Sequence, residues 1–124
     1  SPYKEGLTWY KDLEKAFTVS KTTGQSLFVD FTGYTCTNCR WMEVNVFIEP
    51  EVKERFKKMT LVQLYTDAGP KHKENQLYEI DRFGTAALPF YVILTPEDEI
   101  ISTFPGMTRK LDDFIDFLDS GLEG

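Results

Sequence analysis

The sequence predicts a single α/β domain with a mixed sheet, and three observations carry that reading. Short apolar runs alternate with stretches of helical periodicity, which calls for parallel strands joined by helical crossovers. The last two strand-like runs are separated only by Pro96, Glu97 and Asp98, so they should pair antiparallel. A chain of 124 residues, 41% hydrophobic and with ten phenylalanines, suits one packed core and is too short for two.

Residues 9–20, WYKDLEKAFTVS, place Trp9, Leu13, Ala16 and Phe17 at helical spacing, and Gly24 supplies a stop. SLFVDFT, residues 26–32, is a short apolar and aromatic run that reads as a buried strand. Directly after it, GYTCTNCR holds the only two cysteines, and CRWMEVNVFI resumes a helical pattern through Val44 and Phe47. Pro50 opens a further helix at the first helical position, where its missing N–H costs nothing; Val52 and Phe56 are its buried face. TLVQLYT, residues 60–66, is a second strand, followed by the polar loop DAGPKHKEN. Residues 74–83 read as a helix through Leu77, Ile80 and Phe83. PFYVILT (89–95) and EIISTF (99–104) are the closing strands. After Gly106, Leu111, Phe114, Ile115 and Leu118 fall at i, i+3, i+4 and i+7, with Thr108 as the expected N-cap and Gly121 as the stop.

A net charge of −6 and a pI near 4.8 argue against a nucleic-acid or anionic-membrane partner, since both would repel the chain. No apolar run approaches the roughly twenty residues that span a bilayer, so the domain is not expected to insert into a membrane itself. The opening SPYKEGLTWY has neither an initiating methionine nor an apolar h-region, as expected of a domain excised or processed from a longer chain.

Cys36 and Cys39 admit three uses. A structural zinc site needs four Cys or His ligands, and only Cys36, Cys39 and His72 are on offer. His72 lies in a polar loop and is expected to face solvent, so no metal is expected. A structural staple closing so short a loop adds little stability in the loop-entropy model. A redox pair explains the placement. After a buried strand and at a helix start, the first sulfur meets backbone N–H groups and the helix dipole, which stabilise a thiolate. The second lies one turn in, shielded by the fold.

FVDFTGYTCTNCR resembles the active-site segment of the thioredoxin superfamily, and the order of elements matches that fold over nearly the whole chain. The resemblance implies a thioredoxin fold over residues 1–124, with a central mixed sheet of four to five strands flanked by helices. Asp30, six residues before Cys36, stands where thioredoxins place a buried aspartate. Leu88-Pro89 stands where the family has its cis-proline beside the redox pair, and Gly106 follows the fourth strand as a glycine does there. Within the superfamily, CTNCRWMEVNVF is most similar to the C-terminal extracytoplasmic domain of the DsbD thiol:disulfide interchange family. That domain also has a glutamate seven residues after its first cysteine, here Glu43. Thr35 stands where many members have tryptophan, and Phe90 follows the proline where threonine is common.

Asp30 interrupts a strand that otherwise reads Leu, Phe, Val, Phe, and a buried unpaired carboxylate is costly. It is either a strand-end residue meeting solvent or a backbone donor, or the proton acceptor behind Cys39. Glu43 shares a helix face with both cysteines. It is either a solvated carboxylate or a charge opposing the thiolate, at about 6 Å worth ~3 kcal/mol, or about two pK units, at an effective dielectric near 20. Tyr34, Phe90 and the Leu88 backbone are expected to form the rim around Cys36 with Thr35, either packing or contacting a substrate strand. Trp41 and Met42 are expected to pack.

These features predict a protein-disulfide reductase: Cys36 attacks a partner disulfide, and Cys39 resolves the mixed disulfide with Asp30 as proton acceptor. No bound cofactor is expected, since no nucleotide-binding glycine motif is present. An isomerase or oxidase of the same fold, and a binding module with incidental cysteines, are the alternatives. The resemblance to the DsbD family implies a periplasmic or otherwise extracytoplasmic monomer, with a cytoplasmic setting as the alternative. It also implies an electron-donating dithiol protein or transmembrane domain as donor, and protein disulfides as substrates.

Overall fold

The strand LFVDFT is buried along its whole length, and the sheet grows outward from it. The computed structural model describes residues 1–123. Strand β1 (Trp9–Tyr10), helix α1 (Leu13–Thr23) and strand β2 (Leu27–Thr32) come first, after a 3-10 turn at Pro2–Lys4. Helices α2 (Thr37–Asn45) and α3 (Pro50–Phe56), strand β3 (Thr60–Tyr65) and helix α4 (His72–Phe83) follow. Strands β4 (Phe90–Leu94) and β5 (Ile100–Pro105) and helix α5 (Leu111–Ser120) end the fold. The sheet order is β1-β3-β2-β4-β5. The crossover strands β2 and β3 pair parallel, whereas β4 pairs antiparallel with both β2 and β5. The expected mixed α/β sheet is present with five strands.

Alternation along the strands sorts side chains into two layers. Leu27, Val29 and Phe31 of β2 join Phe90, Val92 and Leu94 of β4 against α1 and α4. Phe28 joins Tyr91 and Ile93 against α2, α3 and α5, where Phe47, Phe56 and Phe114 complete an aromatic cluster. Asp30 is two residues from Phe28 and so shares its face. Full burial of each such aromatic stabilises by ~1.5–3 kcal/mol, which offsets the cost of holding ionisable groups in this layer.

Four expectations need correction. Trp9 is not helical: Trp9 and Tyr10 pair with Leu61 and Val62 as a short edge strand, and the helix begins only at Leu13. The indole stacks on Phe47, so packing overrides the helical spacing. In α2 the buried face runs through Cys39, Met42 and Glu43, leaving Val44 exposed. Thr108 lies two residues before the N-cap position, Lys110, and its hydroxyl accepts the Lys110 N–H at 3.0 Å. His72 is half-buried at the start of α4, with Nδ1 2.8 Å from the Gly69 carbonyl.

Helix α4 departs most from its pattern. Leu77 and Ile80 are exposed, while Glu79 is fully buried. The inward face instead runs through Asn75, Tyr78, Glu79 and Phe83, with Asn75 Nδ2 donating to the Tyr65 carbonyl at 2.9 Å. Neither Glu79 oxygen has a hydrogen-bond partner, and burial pushes its pKa up to about 8. The folded chain therefore holds this proton where the unfolded chain has released it, so Glu79 erodes stability as pH rises from about 4.5 to 8. Glu79→Gln should be near neutral at pH 4 and more stable than wild type by about 2–4 kcal/mol at pH 9, read from urea unfolding. An equal difference at both pH values would contradict a buried neutral acid.

Candidate active site

Cys36 is the N-cap of α2, and the backbone N–H of Cys39 donates to its sulfur at 3.1 Å. An N-cap normally carries an oxygen acceptor, so sulfur here occupies a position built to receive N–H groups. The two cysteines form a disulfide with Cα atoms 5.2 Å apart. Their exposure differs: Cys36 is half-exposed, whereas Cys39 is 2% exposed.

The loop ahead of Cys36 is clamped from the end of β3. Asp67 accepts the N–H groups of Tyr34 at 2.9 Å and Thr35 at 3.1 Å, and the Thr35 hydroxyl at 3.1 Å. Those donors, Tyr34 N–H first, hold the Asp67 pKa below the ordinary carboxylate value. Gly33 makes the clamp possible: a Cβ there would lie 2.8 Å from Asp67 Oδ2 and 3.1 Å from Leu88 Cδ1. Leu88 therefore lies against the same loop, and the Leu88–Pro89 bond is cis. Tyr34 is half-exposed and stacks on Tyr65 with ring centroids 4.1 Å apart.

Asp30 is 2% exposed, so it does not meet solvent at a strand end. It pairs across the ladder with Gln63, whose Nε2 donates to Oδ2 at 3.0 Å, while Oδ1 has no partner among the described residues. Burial pushes its pKa up to about 7, against the Gln63 hydrogen bond and with a further push from Glu43. Tyr3, from the N-terminal turn, places its hydroxyl 3.1 Å from Gln63 Nε2.

Glu43 is buried, not solvated, and it is not a bare charge. Arg40 Nε lies 2.9 Å from Oε1, and Arg40 Nη2 donates to Oε2 and to the Thr32 hydroxyl, each at 3.0 Å. Burial raises the Glu43 pKa while Arg40 lowers it. The expected opposition to a Cys36 thiolate is therefore largely neutralised by a cation one helical turn away. Phe90 is also corrected. Its side chain is buried against Phe31 and Phe83, on the sheet face opposite α2, so it takes no part in a rim around Cys36. Strand parity decides this, since the residue after Pro89 must alternate with Tyr91.

Four residues that the sequence reading passed over belong here: Arg40, Asp67, Gln63 and Tyr3. Gln63 carried a usable signal, being the one amide within TLVQLYT, as Asp30 is the one acid within LFVDF. Arg40 carried a second, at i,i+3 from Glu43. Among the described residues no group of three or more His, Cys, Asp or Glu is placed to hold a metal.

The Asp30 shift has a checkable sign. The folded protein keeps the proton up to about pH 7, while the unfolded chain releases it near 3.8, so stability falls as pH rises between these values. Asp30→Asn should flatten that slope and stabilise by about 2–4 kcal/mol at pH 8, with little gain at pH 4, in chemical denaturation across pH.

The comparisons agree with this geometry. The thioredoxin-like family model matches residues 8–96, well over half of the chain. No curated protein matches it. A thioredoxin from Thermus thermophilus superposes with a TM-score of 0.74 at 22% identity, over 91% of this chain and 85% of that one. The C-terminal domain of Neisseria meningitidis DsbD in its reduced form gives 0.72 at 20% identity, over 92% and 99%. Its oxidised form gives 0.72 at 18%, over the same shares. The five-stranded sheet, the C-x-x-C pair at disulfide distance and the family match together make this chain a member of the thioredoxin-like family.

Proposed function

We propose that the chain is a thiol-disulfide oxidoreductase that works as a protein-disulfide reductase. The observation carrying this reading is the unequal exposure of the two sulfurs, Cys36 outward at a helix mouth and Cys39 enclosed. In the dithiol form, the Cys36 thiolate attacks a partner disulfide; a Cys36–partner bond forms and the partner's second sulfur leaves as a thiolate that takes a proton. Cys39 then gives its proton to Asp30 and attacks the Cys36 sulfur. The Cys36–Cys39 disulfide forms, and the partner departs as a dithiol with two electrons gained. An acid whose pKa is about 7 is suited to receive and later return that proton near neutral pH.

Reducing character is supported by the surroundings of Cys36. Its sulfur receives one N–H, and Arg40, the cation one turn along, is committed to Glu43. Arg40 is the one cation on α2 and it is opposed, and a strongly favoured thiolate is what makes a dithiol oxidising. Likeness to the DsbD domain favours an extracytoplasmic setting, with electrons supplied by another dithiol, in a protein or a transmembrane domain. Among the described residues no helix is long and apolar enough to cross a membrane.

Cys39→Ala should accumulate a mixed disulfide through Cys36 when mixed with a disulfide-bearing protein, seen on a non-reducing gel. Adding Cys36→Ala should abolish the adduct; capture of nothing by Cys39→Ala would leave a binding module. Equilibration with dithiothreitol or glutathione should place the pair nearer about −270 mV than about −120 mV, and a value above about −180 mV would refute a reductase.

A further inference from the structure

The single hydrogen bond to the buried Asp30 comes from an amide that has itself to be oriented. Gln63 Nε2 carries two N–H groups, one directed to Asp30 Oδ2 at 3.0 Å and the other to the Tyr3 hydroxyl oxygen at 3.1 Å. Tyr3 Oη also donates to Gln63 Oε1 at 3.3 Å, so one hydroxyl ties both polar atoms of the amide. Turned by half a rotation, the amide would present its carbonyl to Asp30, which only a protonated acid can face. Tyr3 bonds either orientation and so fixes where the amide sits, while the carboxylate itself selects Nε2 as the atom that faces it.

Tyr3 is not a casual neighbour. It is 5% exposed, its ring packs edge-on against Trp9 and Phe47, and Lys53 Nζ donates to the Pro2 carbonyl at 2.8 Å. We infer that Tyr3 and Gln63 are positioning residues for the exchange reaction, holding Asp30 as a hydrogen-bonded carboxylate ready to take the Cys39 proton. This rests on the proposed exchange chemistry. The other groups that act on Asp30 are Glu43 and Arg40 from α2 and Lys4 from the N-terminal turn, while Tyr65 of β3 and Tyr91 of β4 face it and feel its charge. Of the groups around Asp30, Gln63 is the one that hydrogen-bonds it.

The test is an NMR titration of carboxyl-labelled aspartate in the disulfide form, with Asp30→Asn identifying the signal. Gln63→Leu should move the Asp30 midpoint upward by about one to two pH units, because it removes a donor to the ionised form. Tyr3→Phe should move it the same way by about half a unit, because the amide then loses both hydrogen bonds that fix it beside the carboxylate. Gln63→Asn, too short to reach, repeats the first shift if the leucine variant does not fold. Midpoints unchanged while thermal stability falls would make both residues merely structural and overturn the inference. Disulfide reduction by the wild type is assayed separately. An inert wild type overturns the exchange reading and this role with it, whereas an active one with unmoved midpoints overturns the role alone.

Discussion

A carboxyl group kept on the inner face of the central strand constrains everything around the sulfurs. Ionised and unpaired, it would be among the most costly groups a core can hold. The fold answers with one amide directly across the ladder and with a proton affinity near neutrality. The result is an acid neither firmly charged nor firmly neutral, in the layer that also buries Cys39. Strand alternation makes this placement unavoidable once Phe28 is committed to the aromatic cluster, since Asp30 must follow it to the same side.

The second carboxyl on that side is managed differently. Glu43 is enclosed with a guanidinium contacting both of its oxygens, so its charge is balanced locally rather than projected onto Cys36. A bare charge about 6 Å from a thiolate would shift it by about two pK units, whereas an ion pair acts as a dipole and does far less at any separation. Two acids near one sulfur pair thus have separate characters, one shared with a proton and one shared with Arg40. Glu79 is a third buried acid, on the other face of the sheet; it keeps its proton and has no hydrogen-bond partner among the described residues.

Strands and the cysteine helix were legible because their signals are local. Apolar runs bounded by turns gave β2 to β5, and C-x-x-C after a strand placed the sulfurs at a helix start. Asp30 was legible for the same reason, as one acid among apolar neighbours. Trp9 was not, because its extended conformation is set by pairing with Leu61 and by stacking on Phe47, both distant in sequence. Helix α4 misled because its most apolar residues face outward, and nothing local announces that a glutamate faces in. Phe90 was misplaced because closeness in sequence to Pro89 was taken for closeness in space to Cys36, when alternation sends it to the opposite layer. Asp67 and Tyr3 act across more than thirty residues of chain, beyond the reach of any periodicity.

Gly33 packs so closely under Asp67 and Leu88 that a methyl group there would push on both side chains. The entrance to the helix is thus constrained on its N-terminal side by the Asp67 hydrogen bonds and this close packing. Thr37 and Asn38, between the two sulfurs, are by contrast open to solvent. Diversification of this scaffold therefore has one permissive dipeptide and one constrained position only a few residues apart. A library aimed at new redox behaviour gains its variants from the pair inside the ring and disturbs its architecture at the glycine outside it.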